Sequence, residues 1–305
     1  MKIVAIVNPV AGSRRASRIW PCLLEARQVR TPVATWWTEG PGQAEILAAR
    51  ARRAGYDRVV AVGGDGTLME VVNGLWWEPE GEKPSVGTIP LGTGCDYLRN
   101  FAEGRKKLDD KLANALKEAT VPVSVGLARV QGLDGQPRQR IFMSFLGAGF
   151  DALVIARFQR LGLPGKAAYF LSGLLEIARL RHYQISGMVN GHPLNEEAAL
   201  LVAGLGRYFG GGMMVAPGAS VQSPRFQVVL GQRLSRRALL WLLPKVYTGK
   251  HLDHPQVATF YAEQVKAAAD PPAWVEGDGE LLGRTPLEVT VIPEALQFAG
   301  HFAER

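Results

Sequence analysis

The sequence predicts two domains: an α/β domain with a parallel sheet over residues 1–120, and a mostly antiparallel, β-rich domain over residues 121–293. Three observations predict this. Up to Ala119, short apolar runs alternate with helix-period segments, which implies a parallel sheet with ligand loops at the carboxyl ends of its strands. Around Thr120–Val123 the pattern changes to short apolar runs parted by glycine and proline turns, as antiparallel strands require. The 305 residues also suffice for two domains of ordinary size, each with its own core.

Lys2–Val7 reads as the first strand, ending at Asn8-Pro9, with Gly12, Arg14 and Arg15 beyond it. A signal peptide is not indicated, because the apolar run is short and the basic cluster follows it. Ala16, Ile19, Trp20, Leu23 and Leu24 then keep helical spacing, in a helix that Pro21 should distort. Val33–Thr38 reads as a second strand, and Gly42–Ala54 as a helix stopped at Gly55.

The chain is organised around Val59–Leu75. Val59 to Val62 suit a strand buried on both faces. Gly63, Gly64, Asp65, Gly66 and Thr67 break it, and Leu68, Val71, Val72 and Leu75 follow at the spacing of one helix face. A glycine loop entering a helix uncovers N–H groups beside a partial positive charge, so phosphate is a natural ligand. Asp-Gly is also a hairpin signal, but the helical spacing after it opposes a second strand. No Gly-Lys-Ser/Thr follows, which excludes a Walker A loop. Strand Val86–Ile89 leads into a second glycine loop, Pro90-Leu91-Gly92-Thr93-Gly94-Cys95-Asp96-Tyr97.

Downstream, the expected strands are Val125–Val130, Ile141–Phe145, Ile185–Val189, Ala198–Gly204 and Val228–Leu230, with an amphipathic helix over Gly165–Leu180. Glu276-Gly277-Asp278-Gly279-Glu280 precedes a strand over Leu287–Ile292. Asp278 and Glu280 lie two apart, so on an extended backbone both carboxylates face one side; the alternative is an acidic turn in water.

Composition narrows the function. With 47% hydrophobic and 21% charged residues the chain is globular. Cys22 and Cys95 lie far apart without metal-ligand spacing, which suggests a reducing, cytoplasmic compartment. No apolar run reaches the roughly 20 residues of a membrane helix. The net charge of +7 suits nucleic acid, anionic lipid or a phosphorylated substrate, or merely a soluble surface. Nucleic-acid recognition motifs are absent, so no nucleic-acid partner is expected; peripheral contact with an anionic membrane is compatible with the charge.

Gly63–Thr67 followed by Glu70 and Asn73-Gly74 resembles the signature of the diacylglycerol kinase catalytic-domain family, which includes sphingosine and ceramide kinases and soluble bacterial lipid kinases of the YegS type. NAD kinases share that block. The Pro90–Tyr97 loop is similar to the family's Pro-Leu-Gly-Thr-Gly-Asn-Asp-Phe and separates the chain from NAD kinases, which carry a different second block. Asn8-Pro9 with Gly12 resembles the family's opening, and Thr38, Gly42 and Ala44 fit its Thr-x-x-x-Gly-x-Ala. Gly147, Gly149, Phe150, Asp151 and Ala152 resemble a third glycine segment. Gly210-Gly211-Gly212 with Pro217 and Ala219, then Asp278-Gly279-Glu280 with Pro286 and Pro293–Leu296, complete six ordered blocks over nearly the whole chain.

The resemblance implies a NAD-kinase/phosphofructokinase-like α/β domain and a β-sandwich second domain, with residues 294–305 returning to pack on the first. It implies ATP on the glycine loops, held by Asn8, Thr38, Gly63, Gly64, Asp65, Gly66, Thr67, Glu70 and Thr93, with Asp65 near Mg2+ through water. A lipid hydroxyl would meet a cluster of Asp65, Asp96, Asp278 and Glu280, with Asp96 orienting it and Glu280 as the base. Three positions depart from the family. Cys95 replaces an asparagine, Ser124 an aspartate, and Ser223 the aspartate of a structural metal site, so no tightly held ion is expected around Ser220, Ser223 and Arg225. A homodimer is compatible with the family. The alternatives are a catalytically silent nucleotide- or lipid-binding regulator on the same fold and an NAD kinase.

Overall fold

The computed structural model describes residues 1–26, 32–92, 94–101, 108–162 and 166–299. The chain divides into two compact units, one of Met1–Val123 with the segment from Glu294 onward, the other of Ser124–Pro293.

In the first unit the strands are β1 (Ile3–Val7), β2 (Val33–Trp37), β3 (Arg58–Gly63) and β4 (Ser85–Pro90). They pair in the order β2-β1-β3-β4, every pair parallel, with Val4 opposite Ala34 and Val59, and Gly63 opposite Pro90. β1 and β3 are buried along their whole length, as continuous apolar runs demand. Their ends bring the loops after Val7, Gly63 and Pro90 to one edge of the sheet.

After a kinked turn, α1 (Ala11–Arg14), comes α2 (Ala16–Ala26), which continues past Pro21. Trp20 explains why: it is 1% exposed in the core with Ile3, Ala5 and Val60, and its Nε1 donates to Thr35 Oγ1 at 3.1 Å. Burial of that side chain outweighs the helix bond that proline removes. α3 (Gln43–Arg53) and α4 (Asp65–Trp77) pack closely where a Cβ on Gly74 would meet Glu45 O at 2.1 Å. α5 (Leu108–Leu116) covers β4.

The second unit is built from β5 (Thr120–Gln131), β6 (Pro137–Phe142), β7 (Phe145–Gly149), β8 (Tyr183–Val189), β9 (His192–Gly204), β10 (Phe226–Gln232), β11 (Val257–Ala262), β12 (Gln264–Asp270), β13 (Trp274–Gly277) and β14 (Glu280–Ala299). Neighbours run β11-β10-β9-β7-β13-β14; β8 joins β9 to β12, and β5 joins β14 to β6. The pairings among β7 to β13 are antiparallel. α6 (Phe150–Leu161), α7 (Lys166–Ala178) and α8 (Arg236–Leu242) complete the unit.

Two expectations change. The strand expected over Ile141–Phe145 is split between β6 and β7, because the N–H groups of Met143, Ser144 and Phe145 turn to the Asp278 carboxylate. The strand expected over Leu287–Ile292 is the middle of β14, which continues past Pro293 with Glu294 at φ 50. The last part of β14 belongs to the first unit. There Phe298 lies opposite Val86 of β4 in parallel and stacks on Phe101 with ring centroids 5.9 Å apart. Residues 300–305 lie outside the described residues.

Candidate functional site

In the first unit, the loops at the strand ends enclose a cavity of about 380 Å³. Asn8, Gly12, Thr38, Gly64, Gly66, Thr67, Glu70 and Gly92 all line it. The two glycine loops meet backbone to backbone: Leu91 and Gly92 donate their N–H groups to Gly63 O at 2.7 and 3.0 Å. A Cβ on Gly92 would lie 2.4 Å from Gly64 Cα, so only glycine allows this approach. α4 starts at Asp65 with Gly64 as its N-cap, a residue with no side chain to bond the first N–H groups. Those donors and the helix dipole suit an anion. Asn8 ties the first strand end to this turn, with Nδ2 donating to Thr67 Oγ1 at 3.2 Å.

Glu70 lines the cavity and also ties two elements together. Its Oε1 accepts the Gly42 N–H at 2.9 Å and its Oε2 the Ala44 N–H at 3.0 Å, which caps α3 from the neighbouring helix. Asp65 turns from the large cavity and accepts the N–H groups of Asp96 and Tyr97 at 2.9 and 3.2 Å. Burial raises its pKa, partly offset by the Asp96 N–H. Asp65 therefore clasps the second glycine loop. Asp96 follows at 8% exposure, with Oδ1 2.9 Å from Arg99 Nε. Gly63 lines the small neighbouring cavity with Asp65, Cys95 and Tyr97. Thr93 lies outside the described residues.

Cys95 has φ 51, a left-handed conformation that asparagine tolerates better than most side chains. Its thiol donates to Gly92 O at 3.3 Å, and burial followed by the nearby Asp65 pushes its pKa up to about 12. The thiol thus bonds within the loop and stays neutral.

In the second unit, Asp278 and Glu280 do not share a side as an extended backbone would require. Gly277 pairs with Glu280, leaving Asp278 (φ 47) and Gly279 (φ 88) as a two-residue hairpin turn with positive φ at both positions. The Asp278 carboxylate accepts N–H groups from Met143 at 2.6 Å, Ser144 at 3.0 Å and Phe145 at 2.8 Å. Glu280 instead meets Arg138 Nη2 at 2.5 Å and Arg140 Nε at 3.0 Å. The first carboxylate builds the turn, and the second is held by two guanidinium groups.

The loop at Ser220, Ser223 and Arg225 closes on itself. Ser223 N–H donates to Ser220 O at 2.9 Å, and Ser223 Oγ donates to Arg225 O at 2.9 Å. Among the described residues no group of three or more His, Cys, Asp or Glu side chains could hold a metal. Ser124 is fully buried, with its N–H donating to Val221 O at 2.8 Å.

Sequence reasoning missed an apolar cavity of about 180 Å³ inside the second unit. Phe145, Phe150, Tyr169, Val202, Phe209 and Leu239 are among its walls, and Asp151 and Glu276 also line it. Phe170 and Tyr247 both line the cavity and are about half exposed, so its wall reaches the surface. An apolar cavity of ~150 Å³ already accepts a benzene-sized group. The available signal was Gly147-x-Gly149-Phe150-Asp151, a glycine pair before a helix whose first turn holds an acid.

The described residues thus carry a glycine-lined cavity at the edge of a parallel sheet in one unit and an apolar cavity inside the strand-rich other. A family model described as the diacylglycerol kinase catalytic domain matches residues 2–128. A second, described as the YegS C-terminal NAD kinase beta sandwich-like domain, matches residues 144–300. The chain is 30% identical over 302 residues to a protein named diacylglycerol kinase of Mycobacterium tuberculosis, covering 97% of this chain and 94% of that one. A diacylglycerol kinase of Staphylococcus haemolyticus is 25% identical over 288 residues, or 92% and 82% of the two chains. The crystal structure of a diacylglycerol kinase from Bacillus anthracis superposes with a TM-score of 0.74 at 20% identity, covering 98% of this chain and 97% of the other, a likeness of fold. The chain belongs to the diacylglycerol kinase family.

Proposed function

We propose that this protein transfers the γ-phosphoryl group of ATP to a hydroxyl of a lipid. The observation that carries the acceptor class is the apolar cavity of the second unit, with aromatic and aliphatic walls suited to a hydrocarbon chain. Diacylglycerol is the first acceptor to test, because the relatives are named for it.

The donor set of the first unit fits a triphosphate: uncapped N–H groups at the start of α4, the backbone of Gly64 and Gly92, and the hydroxyls of Thr38 and Thr67 around one cavity. Magnesium, entering on the triphosphate, would neutralise charge as the phosphoryl group moves. Asp65, with both oxygens already accepting N–H groups, supports the site by fixing the second loop. Asp96 is the carboxylate that loop presents. Glu280 is the acceptor we assign to the lipid hydroxyl, oriented by Arg138 and Arg140; a group so positioned is worth about 10²–10⁴ in rate. Asp278 fixes the turn that carries it.

The surface of the second unit is consistent with peripheral work on a membrane. Phe170, Leu171 and Leu175 of α7, and Leu240 and Trp241 of α8, are exposed, and Lys245 lies over the Trp241 ring. Among the described residues no helix is long and apolar enough to cross a membrane. The test is incubation with radiolabelled ATP, a broad lipid extract and NAD together. Label in lipid supports the reading; label in NAD with none in lipid overturns it, and nucleotide binding without any transfer supports a silent regulator.

A further inference from the structure

The cavity of the first unit has two ends of different character. Two helices begin at it, α4 after β3 and α3 after β2. At the first end the N-cap of α4 is Gly64, and Gly64, Gly66 and Thr67 line the cavity. At the second end the start of α3 is already taken. Glu70 accepts the N–H groups of Gly42 and Ala44 at 2.9 and 3.0 Å, and the Gln43 N–H goes to Gly40 O at 3.3 Å. A helix whose first donors are held by a carboxylate has little to offer a phosphate. The anionic part of a ligand therefore belongs at α4, and its neutral part at the end of β2.

Glu39 stands at that second end. It follows Thr38 just beyond β2, lines the cavity and is exposed. The carboxylates among the lining residues are Glu39 and Glu70, and both oxygens of Glu70 are bonded to N–H groups. Glu39 is the one left for a ligand. Gln43 fixes its place: Gln43 Oε1 accepts the Glu39 N–H, and Gln43 Nε2 donates to Glu39 Oε2 at 3.4 Å. In the sheet β1 lies between β2 and β3. Two strand spacings, about 10 Å, thus part the end of β2 from the glycine loop after β3. A carboxylate beside a triphosphate would repel it. One placed a few ångströms further along the cavity meets the sugar instead, a part of the nucleotide that donates hydrogen bonds.

We propose that Glu39 reads the sugar of the nucleotide, its carboxylate accepting hydrogen bonds from the 2′- and 3′-hydroxyls of a ribose. A carboxylate offers about four acceptor positions, so the bond from Gln43 leaves room for both hydroxyls. Dinucleotide folds use an acid for a ribose hydroxyl in the same way. The ligand class is a ribonucleoside triphosphate, with its phosphates at Gly64 and Thr67 and its sugar at Glu39. This rests on the reading of the cavity as the ATP site and adds a choice of sugar to it.

The probes are ATP, 2′-deoxyATP, 3′-deoxyATP and inorganic tripolyphosphate, titrated calorimetrically with magnesium into the full-length protein. The wild type is expected to prefer ATP to each deoxynucleotide by about tenfold, the worth of one hydrogen bond to a charged group. Glu39 is exposed, so its substitution disturbs no packing. Glu39→Ala abolishes the preference and leaves tripolyphosphate binding as in the wild type, since the phosphates lie at the other end. Glu39→Gln, which keeps one acceptor oxygen without the charge, retains a preference of about threefold. Weaker binding of all four ligands by Glu39→Ala, to the same degree, would make the residue a support for α3 and overturn the proposal. Tighter binding of all four would put the phosphates beside Glu39 and overturn it too. Equal wild-type binding of ATP and both deoxynucleotides, or an undiminished preference in both variants, overturns this proposal alone. Failure of the wild type to bind any of the three nucleotides overturns the ATP reading and this proposal with it.

Discussion

Gly92→Ala tests whether the two glycine loops form one cradle. The added methyl would sit 2.4 Å from Gly64 Cα and 3.1 Å from Gly64 N, against backbone that cannot rotate away. Carbon atoms prefer about 3.5–4.0 Å, so the loops must part by about 1 Å. That movement strains the bonds from Leu91 and Gly92 N–H to Gly63 O, now 2.7 and 3.0 Å long. Overpacking of this kind costs about 1–3 kcal/mol, which a domain of ordinary stability survives. The effect on the ligand is larger, because a shift of about 1 Å at a positioning group costs about 10²-fold. ATP titration by calorimetry, beside urea unfolding, should show affinity lowered about a hundredfold in a protein still folded. Unchanged ATP affinity would refute the cradle.

Three further outcomes follow from the carboxylates. Glu280→Gln should lower kcat by about 10²–10⁴ while leaving ATP affinity nearly unchanged, since it acts on the acceptor in the transition state; near-normal kcat would remove Glu280 from the reaction. Asp278→Asn puts an amide donor against N–H groups of Met143, Ser144 and Phe145 and should cost about 1–3 kcal/mol in urea unfolding; a lost kcat at full stability would instead give Asp278 a direct role. Asp151 and Glu276 keep protons that the unfolded chain releases near pH ~4. Their burden is absent below that pH and fully present for Asp151 above about 7, so stability should fall as pH rises through this window. The slope should flatten in Asp151→Asn, and parallel wild-type and variant curves by thermal melting would contradict it.

What could be read in the sequence was local and periodic. Gly63–Thr67 announces itself because three glycines interrupt an apolar run and a helix face begins at Leu68, both short-range patterns. The cradle residues Asn8, Thr38, Gly64, Gly66, Thr67 and Glu70 do line one cavity. Which of them cap helices and which face a ligand was not legible, because Glu70 meets Gly42 and Ala44 only through helix packing. Asp278 and Glu280 were misjudged for a backbone reason: counting by twos assumes an extended chain, and two positive φ values turn the first carboxylate away from the second. Pro21 lies inside α2, beside the buried Trp20 that anchors the helix on the core. Asp151 and Glu276 are 125 residues apart in sequence, and only the pairing of β13 with β7 brings them to one glycine.

The central claim is tested most directly by counting products. With ATP labelled at the γ-position and 1,2-dioctanoylglycerol in mixed micelles, ADP released and phosphate gained by the lipid are measured in the same tubes. The account predicts equal amounts of the two, with the label in the organic phase and dependence on magnesium. ADP formed without lipid phosphate, or label transferred to NAD while every lipid alcohol stays unlabelled, would contradict it.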